Sequence, residues 1–183
     1  FILMTMNACI PPQPMFSLDK TPLIPLPRLV TPSDEVLQLN AIKFIRIYDA
    51  DKQLIPVAKN FISYWKTNTQ HELLITHGQT NDDHSITLKI DEDFNPNPEA
   101  YKIEILKDKI DLVAKTTQGI FRGVKTLEQM LFLGKLEGKT NFLSLQGGVI
   151  YDEPSFAYRG AMLDVARHFF SVKDVKRYID LLS

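Results

Sequence analysis

The chain has 183 residues, with 21 Lys+Arg against 22 Asp+Glu and 44% apolar positions. This is globular composition with near-balanced charge, without the basic footprint of a sequence-independent nucleic-acid binder. It is too short for a complete (β/α)8 barrel, which takes about 250 residues, and its single cysteine, Cys9, excludes an intrachain disulfide or a multi-cysteine metal site.

Residues 1–10, FILMTMNACI, are too few to span a bilayer, which takes about 20 apolar residues, but they match the tail of a secretory h-region. Ala8 precedes Cys9, and a spacer holding Pro11, Pro12, Pro14, Pro22, Pro25 and Pro27 comes after it. That is the layout of a bacterial lipoprotein's cleavage and acylation site, although Met6 stands three before the cysteine; a signal remnant without lipid fits the same run. Residues 1–27 are therefore expected to be a signal remnant and Pro-rich tether. They point to an exported protein of the bacterial periplasm or cell surface, with acylated Cys9 as its candidate membrane tether. Phe1 at the start and an apolar-periodic run broken off at Ser183 suggest a piece of a longer protein.

From 28 to 151 the pattern is one of short strands and two helices. Ile86, Leu88 and Ile90 alternate with Thr87 and Lys89, and Tyr101, Ile103 and Ile105 alternate with Lys102 and Glu104, the period of half-buried strands. Lys107-Asp108-Lys109 separates the latter from Ile110, Leu112 and Ala114, which predicts a hairpin. Residues 42–47, 73–76 and 142–150 are further strand candidates. One helix is expected from Pro56, tolerated in a first turn, burying Val57, Phe61, Ile62 and Trp65. A second carries Ile120, Val124, Leu127 and Leu131, with Gly134 as its C-terminal stop. Together they predict an α+β domain, an antiparallel sheet with two helices on one face.

Residues 152–183 differ. Ala157–Ala166 reads as a strand, and Ser171 with Asp174 forms an S-x-x-D capping box before Val172, Val175, Tyr178, Ile179 and Leu182 on one helical face. A lone βα unit cannot bury both its apolar faces, so it must belong to something larger.

Several constellations fail as chemistry. His71-Glu72 and His77 are six residues apart, and six residues turn a helix through about 600°, placing the rings on different faces. Asp91, Asp93 and Asn95 start like a calcium loop, but Pro96 and Lys102 occupy the positions that need Gly and a bidentate Glu. Asp152 and Glu153 are neighbours in extended backbone and point to opposite faces, so they are not an acid/base couple. No metal site and no cofactor is expected. What remains is DEPSFAYRGAMLDVARHFF at 152–170, a strand-like run carrying Arg159, Asp164 and Arg167 between apolar residues. Charges so placed are either paired or face a ligand cleft. Asp164 can pair with either arginine.

This run resembles the start of the catalytic barrel of family-20 glycoside hydrolases, the β-N-acetylhexosaminidases, whose pattern is D-x-P-x-F-x-x-R-G-x-x-L-D-x-x-R-H-F. Asp152, Pro154, Phe156, Arg159, Gly160, Leu163, Asp164, Arg167, His168 and Phe169 match. Upstream, I-P-x-P-R at 24–28, E-A-Y-x-I at 99–103 and G-x-x-x-G-x-x-T-L-x-Q at 119–129 are also similar to that family's. The resemblance implies a zincin-like accessory domain without zinc at 28–151, followed from 152 by the first βα unit of a truncated catalytic barrel. It implies Arg167 as the ligand of the outer hydroxyls of a terminal N-acetylhexosamine, a task suited to a rigid, non-titrating fork of donors. Asp164 would orient an arginine, and Arg159 would be structural.

The reaction implied is retaining, substrate-assisted hydrolysis of a terminal β-linked N-acetylglucosamine or N-acetylgalactosamine from a glycan or chito-oligosaccharide. Its Asp-Glu pair sits in an H-x-G-G-D-E-like context that these residues do not contain, so no catalytic residue is expected in this stretch, which alone should be inactive. The alternatives are a non-catalytic carbohydrate-binding or scaffold module, and another barrel glycosidase with a similar accessory domain.

Overall fold

Alternating apolar side chains build a seven-stranded sheet over which two helices lie. The computed structural model describes residues 17–48, 51–78, 84–136 and 144–182; Cys9 and positions 142–143 lie outside them. The strands are β1 (Leu29–Gln38), β2 (Phe44–Ile47), β3 (Leu74–His77), β4 (Ser85–Ile90), β5 (Tyr101–Ile105), β6 (Ile110–Ala114) and β7 (Ser144–Asp152). The helices are α1 (Leu54–Thr69), α2 (Thr117–Leu136) and α3 (Val172–Leu182). The chain divides into two compact units, one ending at Glu153 and one beginning at Pro154.

In the first unit the sheet order is β1-β7-β5-β6-β4-β2-β3. The expected hairpin is present: Ile105 faces Ile110 and Tyr101 faces Ala114 in an antiparallel pair, and the Leu106 N–H closes the turn on the Lys109 carbonyl at 2.9 Å. The sheet as a whole is mixed rather than antiparallel, which corrects the expectation. β2 runs parallel to both β3 and β4, and β4 runs parallel to β6. The cause is the crossover. A helix that carries the chain back along the sheet leaves the next strand pointing the same way as the last, as α1 does between β2 and β3.

Ile45, Ile47, Ile86, Leu88, Ile103, Ile105, Ile110 and Leu112 are buried, and Phe61, Trp65, Ile120, Val124, Leu127 and Leu131 from the helices meet them in one core. Phe61 and Trp65 pack edge to face with ring centroids 5.9 Å apart, an arrangement that adds to the burial of two large rings. α1 begins at Leu54, two residues before Pro56, which lies in the first turn where its missing N–H costs nothing. It ends without glycine: Gln70 takes the left-handed conformation (φ 62°) and its N–H caps the Lys66 carbonyl. α2 continues through Gly134 to Leu136, so the expected stop is displaced. A glycine costs a helix only about 1 kcal/mol relative to alanine, and burial of the Met130 and Leu131 side chains beside it offsets that.

β1 is an edge strand absent from the expectation. It pairs antiparallel with β7, Leu29 opposite Tyr151 and Gln38 opposite Ser144, and slips register between Pro32 and Val36. An edge with a bulge is where a sheet accepts proline.

The second unit has one helix and no strand among its described residues. The strand expected over Ala157–Ala166 is not formed, because no residue of that run has a ladder partner and a strand takes its hydrogen bonds from a neighbour. The turn over residues 165–167 falls at its far end. The expected capping box is present: Ser171 Oγ accepts from the Asp174 N–H at 3.2 Å, and the Ser171 N–H donates to Asp174 Oδ2 at 3.2 Å. The apolar face of α3 stays open, with Val172, Ile179 and Leu182 exposed.

Candidate functional site

Asp164 organises the second unit's charged residues. Its Oδ1 accepts the Ala166 N–H at 3.0 Å and the Arg167 N–H at 3.3 Å, the local backbone bonding that lets aspartate set a turn. Its Oδ2 lies 3.5 Å from the Arg167 guanidinium. Of the two arginines it could pair with, Arg167 is thus one that it meets. The Arg159 guanidinium donates to the Phe156 carbonyl at 2.6 Å. Arg167 is 86% exposed in its side chain, so most of its donors face outward from a backbone turn that Asp164 holds in place. Such a fork can take two adjacent oxygens of a ligand.

Asp152 and Glu153 are arranged for framework rather than for chemistry. Asp152 Oδ1 accepts the Arg28 N–H at 3.2 Å, and Oδ2 accepts the Tyr101 hydroxyl at 3.4 Å. Glu153 Oε1 meets the Arg28 guanidinium at 2.8 Å, and Oε2 accepts the Tyr151 hydroxyl at 3.2 Å. All four oxygens are engaged. Burial holds the Asp152 carboxyl above the usual carboxylate range, offset in part by those donors. Burial, then the neighbouring Asp152 charge, likewise pushes the Tyr101 phenol far up, against the lowering effect of its Thr126 hydrogen bond.

Among the described residues no three His, Cys, Asp or Glu side chains are grouped to hold a metal ion. His71 lies in the loop after α1 and His77 ends β3, while Glu72 pairs with Lys66, which lowers its pKa. In the 91–97 loop, Asp91 and Asn95 side chains accept backbone N–H groups of Asp93 and Asn97, the work of turns rather than of a cation loop. A cavity of about 10 Å3 lined by Leu18, Thr21, Met130, Leu145 and Gln146 has room for no more than a water. Among the described residues no helix is long and apolar enough to cross a membrane.

The upstream motifs meet one another in space, a fact invisible when they are read as separate strings. Gln129, last of the 119–129 motif, holds the backbone of Ile24, first of the 24–28 motif, from both sides: the Ile24 N–H donates to Oε1 at 2.9 Å and Nε2 donates to the Ile24 carbonyl at 2.8 Å. Glu99 pairs with Arg122 at 3.1 Å. The Tyr101 and Thr126 hydroxyls lie 2.6 Å apart. A Cβ at Gly119 would sit 2.6 Å from the Ala100 carbonyl oxygen, and one at Gly123 would overlap Leu112 Cδ1, so both glycines serve the close approach of α2 to the sheet. These residues form one scaffold. The signal the sequence offered was that Ile24, Glu99, Tyr101, Arg122, Thr126 and Gln129 all lie within the three upstream motifs.

Comparison with known proteins agrees with this division. Residues 20–153 match the family described as glycosyl hydrolase family 20, domain 2, and residues 156–183 match glycosyl hydrolase family 20, catalytic domain. A beta-hexosaminidase of Porphyromonas gingivalis is 32% identical over 164 residues, 88% of this chain and 21% of the relative. A beta-N-acetylhexosaminidase of Cellulomonas fimi is 36% identical over 99 residues, 54% of this chain and 19% of the relative. Among solved structures, Streptomyces plicatus N-acetyl-beta-hexosaminidase in complex with Thio-NAglucal superposes with a TM-score of 0.75 at 30% identity, covering 91% of this chain and 32% of that one. The GH20 beta-N-acetylhexosaminidase of Streptomyces coelicolor A3(2) gives 0.71 at 30% identity, over 86% and 31%. The chain therefore spans about a fifth of the length of these curated relatives and about a third of these solved chains.

Proposed function

The chain belongs to glycosyl hydrolase family 20, and we propose from that membership that it is part of a β-N-acetylhexosaminidase acting on terminal β-linked N-acetylglucosamine or N-acetylgalactosamine of a glycan or chito-oligosaccharide. The observation that carries the reading is the match of residues 156–183 to the family's catalytic domain directly behind the match of 20–153 to its domain 2. On this reading residues 28–151 are a zincin-like accessory domain and the segment from 152 is the first βα unit of a (β/α)8 barrel. The aspartate and glutamate that do the chemistry lie outside these 183 residues.

The mechanism is substrate-assisted. The 2-acetamido oxygen attacks the anomeric carbon as the glutamate protonates the departing glycosidic oxygen; water, giving a proton back to the glutamate, then attacks the same carbon, opens the cyclic intermediate and restores the acetamido group, with net retention. The aspartate orients that group and stabilises the charge it acquires. No cofactor takes part. Arg167 holds the outer hydroxyls of the terminal sugar, and Asp164 orients it; the outward-facing guanidinium on a turn pinned by Asp164 supports both roles. Arg159 serves the backbone near Phe156.

The test is hydrolysis of 4-nitrophenyl N-acetyl-β-glucosaminide and its galactosaminide by the complete protein. Turnover of at least one is expected; a folded complete protein that turns over neither overturns the reading. Arg167→Lys keeps the charge but loses the planar fork. Losing charge-assisted bonds to two hydroxyls should cost roughly 2–4 kcal/mol of transition-state binding, a fall in kcat/KM of about 30- to 1,000-fold. An unchanged kcat/KM would return Arg167 to a structural role.

The same protein is proposed to be exported and tethered through acylated Cys9. One acyl chain gives marginal attachment, about 0.8 kcal/mol per buried CH2, so more than one is expected. Cys9→Ala should move the protein from the membrane to the soluble fraction of cells that express the complete gene. Identical partition of the two forms would refute the tether.

A further inference from the structure

Arg28 stands directly before β1, and it grips the chain where the first unit ends. Its N–H donates to Asp152 Oδ1 at 3.2 Å and its guanidinium lies 2.8 Å from Glu153 Oε1. Two further groups close on the same three residues. The Tyr101 hydroxyl of β5, itself bonded to Thr126 on α2, donates to Asp152 Oδ2. Asn95, from the loop before β5, donates to the Tyr151 hydroxyl at 2.8 Å, which in turn donates to Glu153 Oε2 at 3.2 Å. Residues 151–153 are thus tied to β1, β5, α2 and the 91–97 loop at once.

The chain just beyond Glu153 makes this grip matter. The next residue is Pro154, whose ring fixes its own φ and confines the residue before it to extended backbone. No glycine and no polar run intervenes between β7, which ends at Asp152, and the second unit, which begins at Pro154. The course of the chain out of the first unit is therefore set by how residues 152 and 153 are held. A half-exposed ion pair such as Arg28–Glu153 adds little to global stability; what it supplies is a direction.

We propose that Arg28 is a positioning residue for the reaction: by clamping Glu153 it fixes the direction in which the chain leaves the first unit. This rests on the function proposed above, and two arms keep the two apart. In the complete protein, Arg28→Ala is expected to lower kcat/KM by about 10- to 100-fold, the scale of a small misplacement far from the chemistry, with Tm unchanged. Arg28→Glu and Glu153→Arg should each do the same, and the two together should recover most of the loss, a rescue that lost packing would not produce. In the 183-residue chain, hydrogen exchange needs no activity: Arg28→Ala should speed exchange at residues 152 and 153 and leave β5 and α2 unchanged.

Wild-type complete protein with no hexosaminidase activity sinks the functional reading, and with it a role for Arg28 in that reaction; the exchange arm still judges the clamp itself. Exchange and kcat/KM both unchanged in Arg28→Ala overturn the clamp. Faster exchange with unchanged kcat/KM overturns positioning. A loss of activity that tracks a fall in Tm, without rescue by the charge swap, makes Arg28 merely structural.

Discussion

The two units of this chain handle similar local chemistry with opposite results. In the first, Trp65 is 1% exposed and the core runs without a break from β2 to α2; in the second, Phe169 is 94% exposed and no described residue is buried. Yet α3 has the full capping box, while α1 starts with no side-chain cap at all. Capping fixes where a helix begins and contributes about 1 kcal/mol. Burial is collective, and it is what sheet and helices supply one another in the first unit and what residues 154–182 do not supply to themselves.

The largest test of that contrast is catalytic. The 183-residue chain alone should release no 4-nitrophenol from N-acetylhexosaminides, since an arginine that binds sugar provides neither proton transfer, typically 100- to 10,000-fold, nor stabilisation of the charged intermediate. Turnover that scales with its concentration and survives repurification would break the contrast. Next comes stability. In the same chain Trp65→Ala should cost about 3–5 kcal/mol, whereas Phe169→Ala should stay within about 0.5 kcal/mol; chemical denaturation reads both. Equal losses would mean that the second unit has a core of its own.

The smallest effect is a pH dependence. The Asp152 pKa is raised in the folded state by burial, so between its unfolded and folded values the folded chain binds more protons. Stability from this group is therefore present at low pH and is lost as pH rises through the folded pKa. Subtracting the Tm profile of Asp152→Asn from that of wild type should leave a curve that falls with pH over that window and is flat above it. A difference curve that rises would show that the carboxylate gains more from Arg28 and Tyr101 than burial costs it.

Much of the first unit was legible from the amino acids because its elements keep strict periods. Ile86-Leu88-Ile90, the 101–114 hairpin and the four apolar positions of α2 each announce a face. β1 was not, since Thr-Pro-Ser-Asp-Glu interrupts its alternation and the strand exists only because β7 offers it a partner. Strand direction was equally hidden, being a property of the crossovers and not of any strand. In the second unit the helix and its box could be read, but the strand over 157–166 could not form on local signals. Of the candidate site, the choice between Arg159 and Arg167 as the partner of Asp164 was open in the sequence; a turn at 165–167 brings the Arg167 guanidinium to its carboxylate. The scaffold joining Ile24 to Gln129 and Tyr101 to Thr126 was out of reach because each bond spans motifs far apart in the chain.

Because β1 and β7 are antiparallel neighbours, with Leu29 opposite Tyr151, β1 begins beside the place where the chain leaves the first unit. Mechanically, this makes the unit a side loop on the line of force. A pull applied at Arg28 and at the segment after Glu153 would load the Arg28–Glu153 contact first and then peel the β1–β7 ladder one pair at a time, without shearing the core.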